Sequence, residues 1–282
     1  MDKNKQQTIS SGLYLVSTPI GNMEDITYRA LNILKKSDII LCEDTRRSGK
    51  LLSYFKIKKK LLPYHKFNEK KVSGEVANAI KKGQIISLIS DAGTPAISDP
   101  GIILINKCID SNIAVHPVPG PSAATSAISV SGFSDKYLFY GFLSKKEKEL
   151  ESVLNSLSNI NYSIVFFIPA IKINFYLLKF KKYFVDRKIL IAREMTKIHE
   201  EFIRGNIQSD KISLNSIKGE LTIVLSQKIK GKNVKEEINE SVKMEIKKML
   251  NKYTHKDVVE FISKKENLPK KLIYKYCLKF KK

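Results

Sequence analysis

The stretch Ser90-Asp91-Ala92-Gly93-Thr94-Pro95-Ala96-Ile97-Ser98-Asp99-Pro100-Gly101 narrows the possible folds more than any other part of this chain. It follows Gln84 to Ile89, an apolar run with the length and β-branched content of a buried strand. Two glycines and two prolines among twelve residues continue neither a strand nor a helix. The backbone therefore turns at the carboxyl end of the strand, and Ile102 to Asp110 reads as a helix. An ordinary strand-to-helix turn needs one such residue; four describe a stiff loop of the kind that carries ligands on α/β scaffolds.

The same unit recurs. Gly12 to Val16 is a buried strand that runs into Ser17-Thr18-Pro19-Ile20-Gly21-Asn22, and Asp25 is placed to cap a helix built on Ile26, Ala30, Ile33 and Leu34. Ile39 to Cys42 is a strand ending in Glu43-Asp44-Thr45-Arg46-Arg47, with a helix expected over Gly49 to Tyr54. An apolar segment near Leu61 and Leu62 and a helix over Glu69 to Lys82 precede the Ile85 strand. Ala114 to Val118 is a further strand, and Pro119-Gly120-Pro121-Ser122-Ala123-Ala124 opens a helix of small residues that runs to about Ser131. Such alternation gives a mostly parallel sheet covered on both faces. All four loops then emerge on one edge.

Gly132-Phe133-Ser134-Asp135 breaks the pattern. The expected division is an N-terminal α/β domain over 10–132, a second α/β domain over 133–228 and a basic helical tail over 229–282. Strands are expected at Tyr137 to Tyr140, Ser163 to Ile168, Lys188 to Ala192, Phe202-Ile203 and Leu221 to Leu225, with helices over Lys145 to Leu157 and Ile171 to Tyr183. The tail carries amphipathic patterns over Val234 to Asn251 and Thr254 to Lys264, and a third helix opening near Pro269.

Fifty basic against 28 acidic residues leave a net charge of +22, a field that favours polyanionic partners. Heavy use of Lys, Ile and Asn throughout accounts for part of it. No apolar run approaches the roughly 20 residues that span a bilayer, and Met1 to Gly12 lacks the apolar core of a signal peptide. Cys42, Cys108 and Cys277 are odd in number and far apart, the usage of a reducing, cytoplasmic compartment. The four histidines show no ligand spacing, so no metal is expected. The chain also lacks G-x-G-x-x-G, a phosphate-binding P-loop and a G-x-S-x-G elbow.

Thr18-Pro19-Ile20-Gly21-Asn22, Glu43-Asp44-Thr45-Arg46, Ser90 to Gly101 and Pro119-Gly120-Pro121-Ser122-Ala123 resemble, in order and spacing, the successive motifs of the tetrapyrrole-methylase superfamily. Tyr140-Gly141-Phe142-Leu143, Arg193-Glu194-Met195-Thr196-Lys197 and Gly219-Glu220 extend the resemblance to about residue 226. Gly93-Thr94-Pro95, where small-molecule members usually have Gly-Asp-Pro, is similar to the rRNA-modifying branch. The resemblance implies two α/β domains with S-adenosylmethionine in the cleft between them, a homodimer, and 2'-O-methylation of a cytidine of 16S rRNA in the small ribosomal subunit. Carried over by motif, the cofactor contacts are Pro19, Asp91, Ala92, Gly93, Thr94, Ile97, Ser122, Ala123, Ile168 and Met195. The resemblance departs at Phe166-Phe167-Ile168-Pro169-Ala170-Ile171-Lys172, where that branch usually carries a Glu, a His and an Arg. Alternatives in view are a methylase of a tetrapyrrole-like small molecule and an RNA-binding relative without catalysis.

A ribose hydroxyl is a weak nucleophile, so a nearby base accelerates its methylation by roughly 10²–10⁴-fold. Asp44, Glu43 and Glu194 are the candidate bases, and Arg46 with Arg193 the candidate phosphate contacts. On charge alone, Glu43-Asp44 beside Arg46-Arg47 reads equally as a solvated ion pair at a strand end; the resemblance tips it to function. In the tail, Lys264-Lys265 and Lys270-Lys271 suit either solvated helix faces or RNA docking. Tyr274 and Tyr276 suit the packing of a small helical core better than stacking on bases.

Overall fold

The computed structural model describes residues 9–209, 219–229, 238, 240–266 and 268–280. The chain divides into two compact units, Met1–Ile229 and Lys230–Lys282.

The first unit holds two five-stranded sheets. Strands β1 (Gly12–Val16), β2 (Ile39–Cys42), β3 (Lys60–Pro63), β4 (Ile85–Leu88) and β5 (Val115–Val118) make the first, in the order β3-β2-β4-β1-β5. Every pairing in it is parallel. Parallel neighbours need long crossovers, supplied here by α1 (Tyr28–Lys36), α2 (Thr45–Tyr54), α3 (Glu69–Lys81) and α4 (Ile102–Asp110); α5 (Ala123–Ser129) follows β5. Strand alternation builds a core on each face. Tyr14 and Val16 pack with Ile33 and Leu34 of α1, while Leu13 packs with Val76 of α3 and Leu104 of α4. From β1 the chain passes β4 to reach β2, and from β4 it passes β1 in the opposite direction to reach β5. The loops after β1 and β4 thus flank the crevice where open α/β sheets bind ligands.

The second sheet contains β6 (Tyr137–Phe142), β7 (Ser163–Pro169), β8 (Lys188–Arg193), β9 (Glu201–Asn206) and β10 (Glu220–Leu225), in the order β6-β7-β10-β8-β9. Only β6 and β7 run parallel; the other pairings are antiparallel. Helices α6 (Glu147–Ser158) and α7 (Ile173–Tyr183) cover one face through Leu150, Leu154 and Phe180. The other face receives α5, whose Ala124 and Ala127 meet Val165, Leu190, Ala192 and Val224. Small residues let this helix lie close to the sheet, so α5 belongs by sequence to the first sheet and by packing to the second. Arg187 is fully buried and donates to the carbonyls of Tyr162, Ile160 and Ser226, which fixes the entry to β8.

Several helix starts differ from the sequence reading: α6 and α7 each open two residues later than expected, at Glu147 and Ile173, and two others differ in their caps. α1 is capped by Thr27, whose Oγ1 accepts from Ala30 N at 3.0 Å, while Asp25 ends a short turn before it. α2 begins at Thr45, because Asp44 Oδ1 accepts from Arg46 N at 2.8 Å and so caps the helix four residues early. Arg46 and Arg47 therefore stand in a helical first turn.

The second unit consists of α8 (Glu240–Leu250), α9 (His255–Glu266) and α10 (Lys270–Cys277), packed through Val242, Ile246, Val258, Ile262 and Ile273. Pro269 is the residue before α10. Tyr276 packs against this core, whereas Tyr274 is half exposed. The part of the expected first tail helix at 234–237 and 239 lies outside the described residues. Among the described residues no helix is long and apolar enough to cross a membrane.

Candidate active site

Hydrogen bonds tie the loops at the carboxyl edge of the first sheet into one body. Thr18 and Gly93 exchange backbone bonds at 2.9 and 3.0 Å, and Thr18 Oγ1 donates to the Ser90 carbonyl at 3.1 Å. Thr94 Oγ1 donates to the Pro121 carbonyl at 3.2 Å and lies 3.1 Å from Ser17 Oγ. Asp91 draws in the β2 loop, its Oδ1 accepting from Asp44 N at 3.3 Å and its Oδ2 pairing with Arg47 at 3.2 Å. Four strand ends thus share one network.

The second sheet closes on this edge through two glycines. At Gly21, a Cβ would lie 2.5 Å from Lys197 Cγ and 2.6 Å from Thr196 Oγ1, which accepts from Asn22 N at 2.9 Å. At Gly141 (φ +82°) a Cβ would lie 2.6 Å from Ser98 Oγ in the central loop. Ser98 and Ala96 are themselves left-handed, at φ 65° and 63°, a conformation that costs a non-glycine residue roughly 1–2 kcal/mol. Such strain persists where the surroundings over-determine it, often beside a ligand.

Between the sheets lies a cleft of about 900 Å³. Asp91, Ala92, Gly93, Thr94, Ile97, Ser122 and Ala123 line it from the first sheet's loops, and Ile168, Glu194 and Met195 from the second sheet. Glu43 stands at its edge and also walls a smaller open pocket of about 550 Å³ that contains Asp44 and Arg46. Pro19 is buried and does not line the cleft; its neighbour Ile20 does. The site residues read from the sequence thus fall into a cleft set, a pocket set and one buried support. Arg193 pairs with Glu201 at 3.3 Å.

Five carboxylates line the cleft among the described residues (Glu43, Asp91, Asp99, Glu194, Glu220), against two cations, Arg47 and Lys197. In a chain of net charge +22 this is a local inversion. Burial, reinforced by the charges of Glu43 and Asp91, pushes the Asp99 carboxyl up to about 6. Asp44 is the opposite case. Hydrogen bonds from the Arg46 guanidinium and the Arg46 N–H hold it down to about 2, so it is a weak proton acceptor at neutral pH. Burial alone would raise Glu194, but the Glu220 N–H and Lys197, donating to Oε1 at 2.8 and 3.0 Å, outweigh it and hold the group below the usual carboxylate range.

Sequence reasoning singled out neither Asp99 as a base nor Arg47 as the arginine of the cleft. Asp99 sits in the loop that reasoning chose, but a carboxylate's burial is not written in a loop's composition. Arg47 lines the cleft and Arg46 only the smaller pocket, both from the first turn of α2. An aromatic wall was also missed: Phe139 and Phe142 meet Phe167 edge-on at 5.0 and 5.4 Å. In a regular strand, residues three apart face opposite ways, but a register shift between Phe139 and Gly141 brings both onto one ring. Gly141 was the only signal in the sequence.

The family model described as Tetrapyrrole (Corrin/Porphyrin) Methylases matches residues 12–209. The Ribosomal RNA small subunit methyltransferase I of Thermotoga maritima is 47% identical over 220 residues, 77% of this chain and 98% of that protein. Its namesake from Pasteurella multocida is 36% identical over 272 residues, 94% of this chain and 96% of that protein. Among solved structures, uroporphyrin-III-C-methyltransferase from Thermus thermophilus superposes with a TM-score of 0.55 at 16% identity, over 76% of this chain and 94% of that one, a likeness of fold. With its two sheets, its intervening cleft and relatives matched over nearly their whole length, the chain belongs to the ribosomal RNA small subunit methyltransferase I family of tetrapyrrole methylases.

Proposed function

We propose that the protein methylates the ribose 2'-oxygen of a cytidine in 16S rRNA of the small ribosomal subunit, with S-adenosylmethionine as donor. The observation that carries this reading is the acidic, aromatic-walled cleft in an otherwise strongly basic chain. A cationic sulfonium suits its five carboxylates, and its volume of about 900 Å³ lies within the range of roughly 300–1,000 Å³ typical of small-molecule sites. The relatives' names supply the substrate class.

Ala92, Gly93, Thr94 and Ile97, with Ser122, Ala123, Ile168 and Met195, would hold the donor, while Pro19 and Asp91 brace the loops behind them. S-adenosylmethionine supplies an electrophilic methyl group when bound. The protein's first task is to hold the ribose hydroxyl in line with it, the largest part of such catalysis. Its second is to accept a proton. The 2'-oxygen gains a methyl and loses its hydrogen to the Asp99 carboxylate, which is ionised at neutral pH yet more basic than an ordinary aspartate. Asp44 and Glu194 act as braces, the first for Arg46 and the second for the end of β8. Phe175 and Leu178, exposed three residues apart on α7, offer apolar side chains that suit a second copy of the chain, and light scattering reads the resulting mass.

Purified protein, methyl-labelled donor and small subunits from a strain lacking the modification test the reading. Label in 2'-O-methylcytidine of 16S rRNA is the expected result. No donor binding by calorimetry, with RNA binding intact, would indicate an RNA-binding relative instead, and label on a base would contradict the ribose assignment.

A further inference from the structure

The smaller pocket beside the cleft is built for something the cleft does not hold. Phe67, on the turn between β3 and α3, is 94% exposed, a position in which an aromatic ring adds nothing to the core. The turn is nonetheless rigid. His65 N donates to Asn68 Oδ1 at 2.8 Å, and Asn68 Nδ2 donates to the Pro63 carbonyl at 2.9 Å. His65 meets the Phe67 ring edge-on at 6.1 Å, and its Nδ1 is buried without a hydrogen-bond partner among the described residues. Arg46 and Arg47, with side chains 87% and 68% exposed, rise from the first turn of α2 on the same pocket. Their carboxylate partners, Asp44 and Asp91, belong to it too. Glu43 is different: among the described residues it forms no ion pair, and it stands on the boundary between pocket and cleft.

A solvent-facing ring on a hydrogen-bonded turn, two arginines and a carboxylate outside any ion pair among the described residues are the parts needed to hold one unstacked nucleotide. Bases stack on aromatic side chains whatever their sequence, and arginines hold the flanking phosphates. A carboxylate accepts from the exocyclic amino group of cytosine and repels the carbonyl that uracil presents at the same place. The shared wall of Glu43, Arg47 and Asp91 sets a ribose attached to such a base at the mouth of the cleft. We propose that this pocket receives the base of the target nucleotide, an amino-pyrimidine drawn out of its RNA stack, with Phe67 as the stacking platform and Glu43 as the reader of the amino group. The assignment rests on the methyltransferase reading above and deepens it.

Phe67→Ala, Phe67→Trp and Glu43→Gln test it, in the full-length protein with intact small subunits. Phe67→Ala is expected to lower kcat/KM for subunits roughly 10- to 100-fold, the factor one base–aromatic stack carries, with donor affinity by calorimetry unchanged. Phe67→Trp restores the rate. On subunits carrying uridine at the target position, the wild-type protein discriminates by roughly 10- to 100-fold, and Glu43→Gln narrows that ratio because an amide also donates. Wild-type efficiency in Phe67→Ala, or an unchanged ratio in Glu43→Gln, overturns the proposal. Should the wild-type protein transfer no methyl group at all, the methyltransferase reading fails by itself. The pocket is then judged by subunit binding in a filter assay, where a 10-fold or greater loss in Phe67→Ala supports it and equal binding overturns it.

Discussion

Asp99 is the residue at which the proposed activity and the stability of the fold meet. Its carboxyl titrates near 6 in the folded protein and near 3.8 when free, so between those values the native state holds a proton that the unfolded chain has lost. Stability therefore falls as pH rises through that window, and above it the ionised group carries a penalty of at most about 3 kcal/mol. Asp99→Asn is expected to lower kcat by roughly 10²–10⁴-fold and to remove the rise in rate centred near pH 6. The same variant should melt at a higher temperature than the wild type at pH 7.5, with the difference gone at pH 3.5. A merely structural aspartate with the same buried carboxyl would show the pH-dependent gain in stability but not the lost limb of the rate profile. Phe167, Ile168, Ala170 and Ile171 belong to this scale as well: all four line the cleft, so that wall is apolar.

At the scale of elements, the junction between the sheets depends on backbone shape more than on side-chain chemistry. Gly141 occupies a left-handed position beside a bulge and leaves room for Ser98 of the central loop. Gly141→Ala adds a methyl 2.6 Å from Ser98 Oγ and incurs roughly 1–2 kcal/mol of backbone strain. It is expected to lower the melting temperature and weaken donor binding, read by thermal melts and calorimetry on one preparation; unchanged donor affinity would show that the two sheets need not meet there. This junction also marks where the sequence stops being legible. Apolar runs located every strand core, and the Gly/Pro loops announced their shared edge, because strand burial and tight turns each leave a local pattern. The start of α2 was not visible, since Asp44 was weighed as a catalyst and not as a cap. The aromatic wall was not visible either, because a bulge breaks the period-2 rule that assigns faces. Glu43 and Asp91 act on the Asp99 carboxyl only once folding has brought them beside it.

For the whole molecule, charge is divided by role. The chain carries +22, while the cleft concentrates carboxylates. Attraction to RNA phosphates is then expected to set subunit affinity, each neutralised phosphate adding about −0.7 to −0.9 to the slope of log K against log salt. A slope of roughly −3 or steeper is expected for small subunits, and a shallow one would show that the basic surface takes little part in binding. The central claim is that the two sheets close on the methyl donor. It is tested most directly by a crystal of the protein soaked with S-adenosylmethionine. The account predicts density in the cleft against Ala92 to Thr94 and Met195, with the methyl group directed toward Asp99. A donor bound elsewhere, or a cleft left empty at saturating donor, would contradict it.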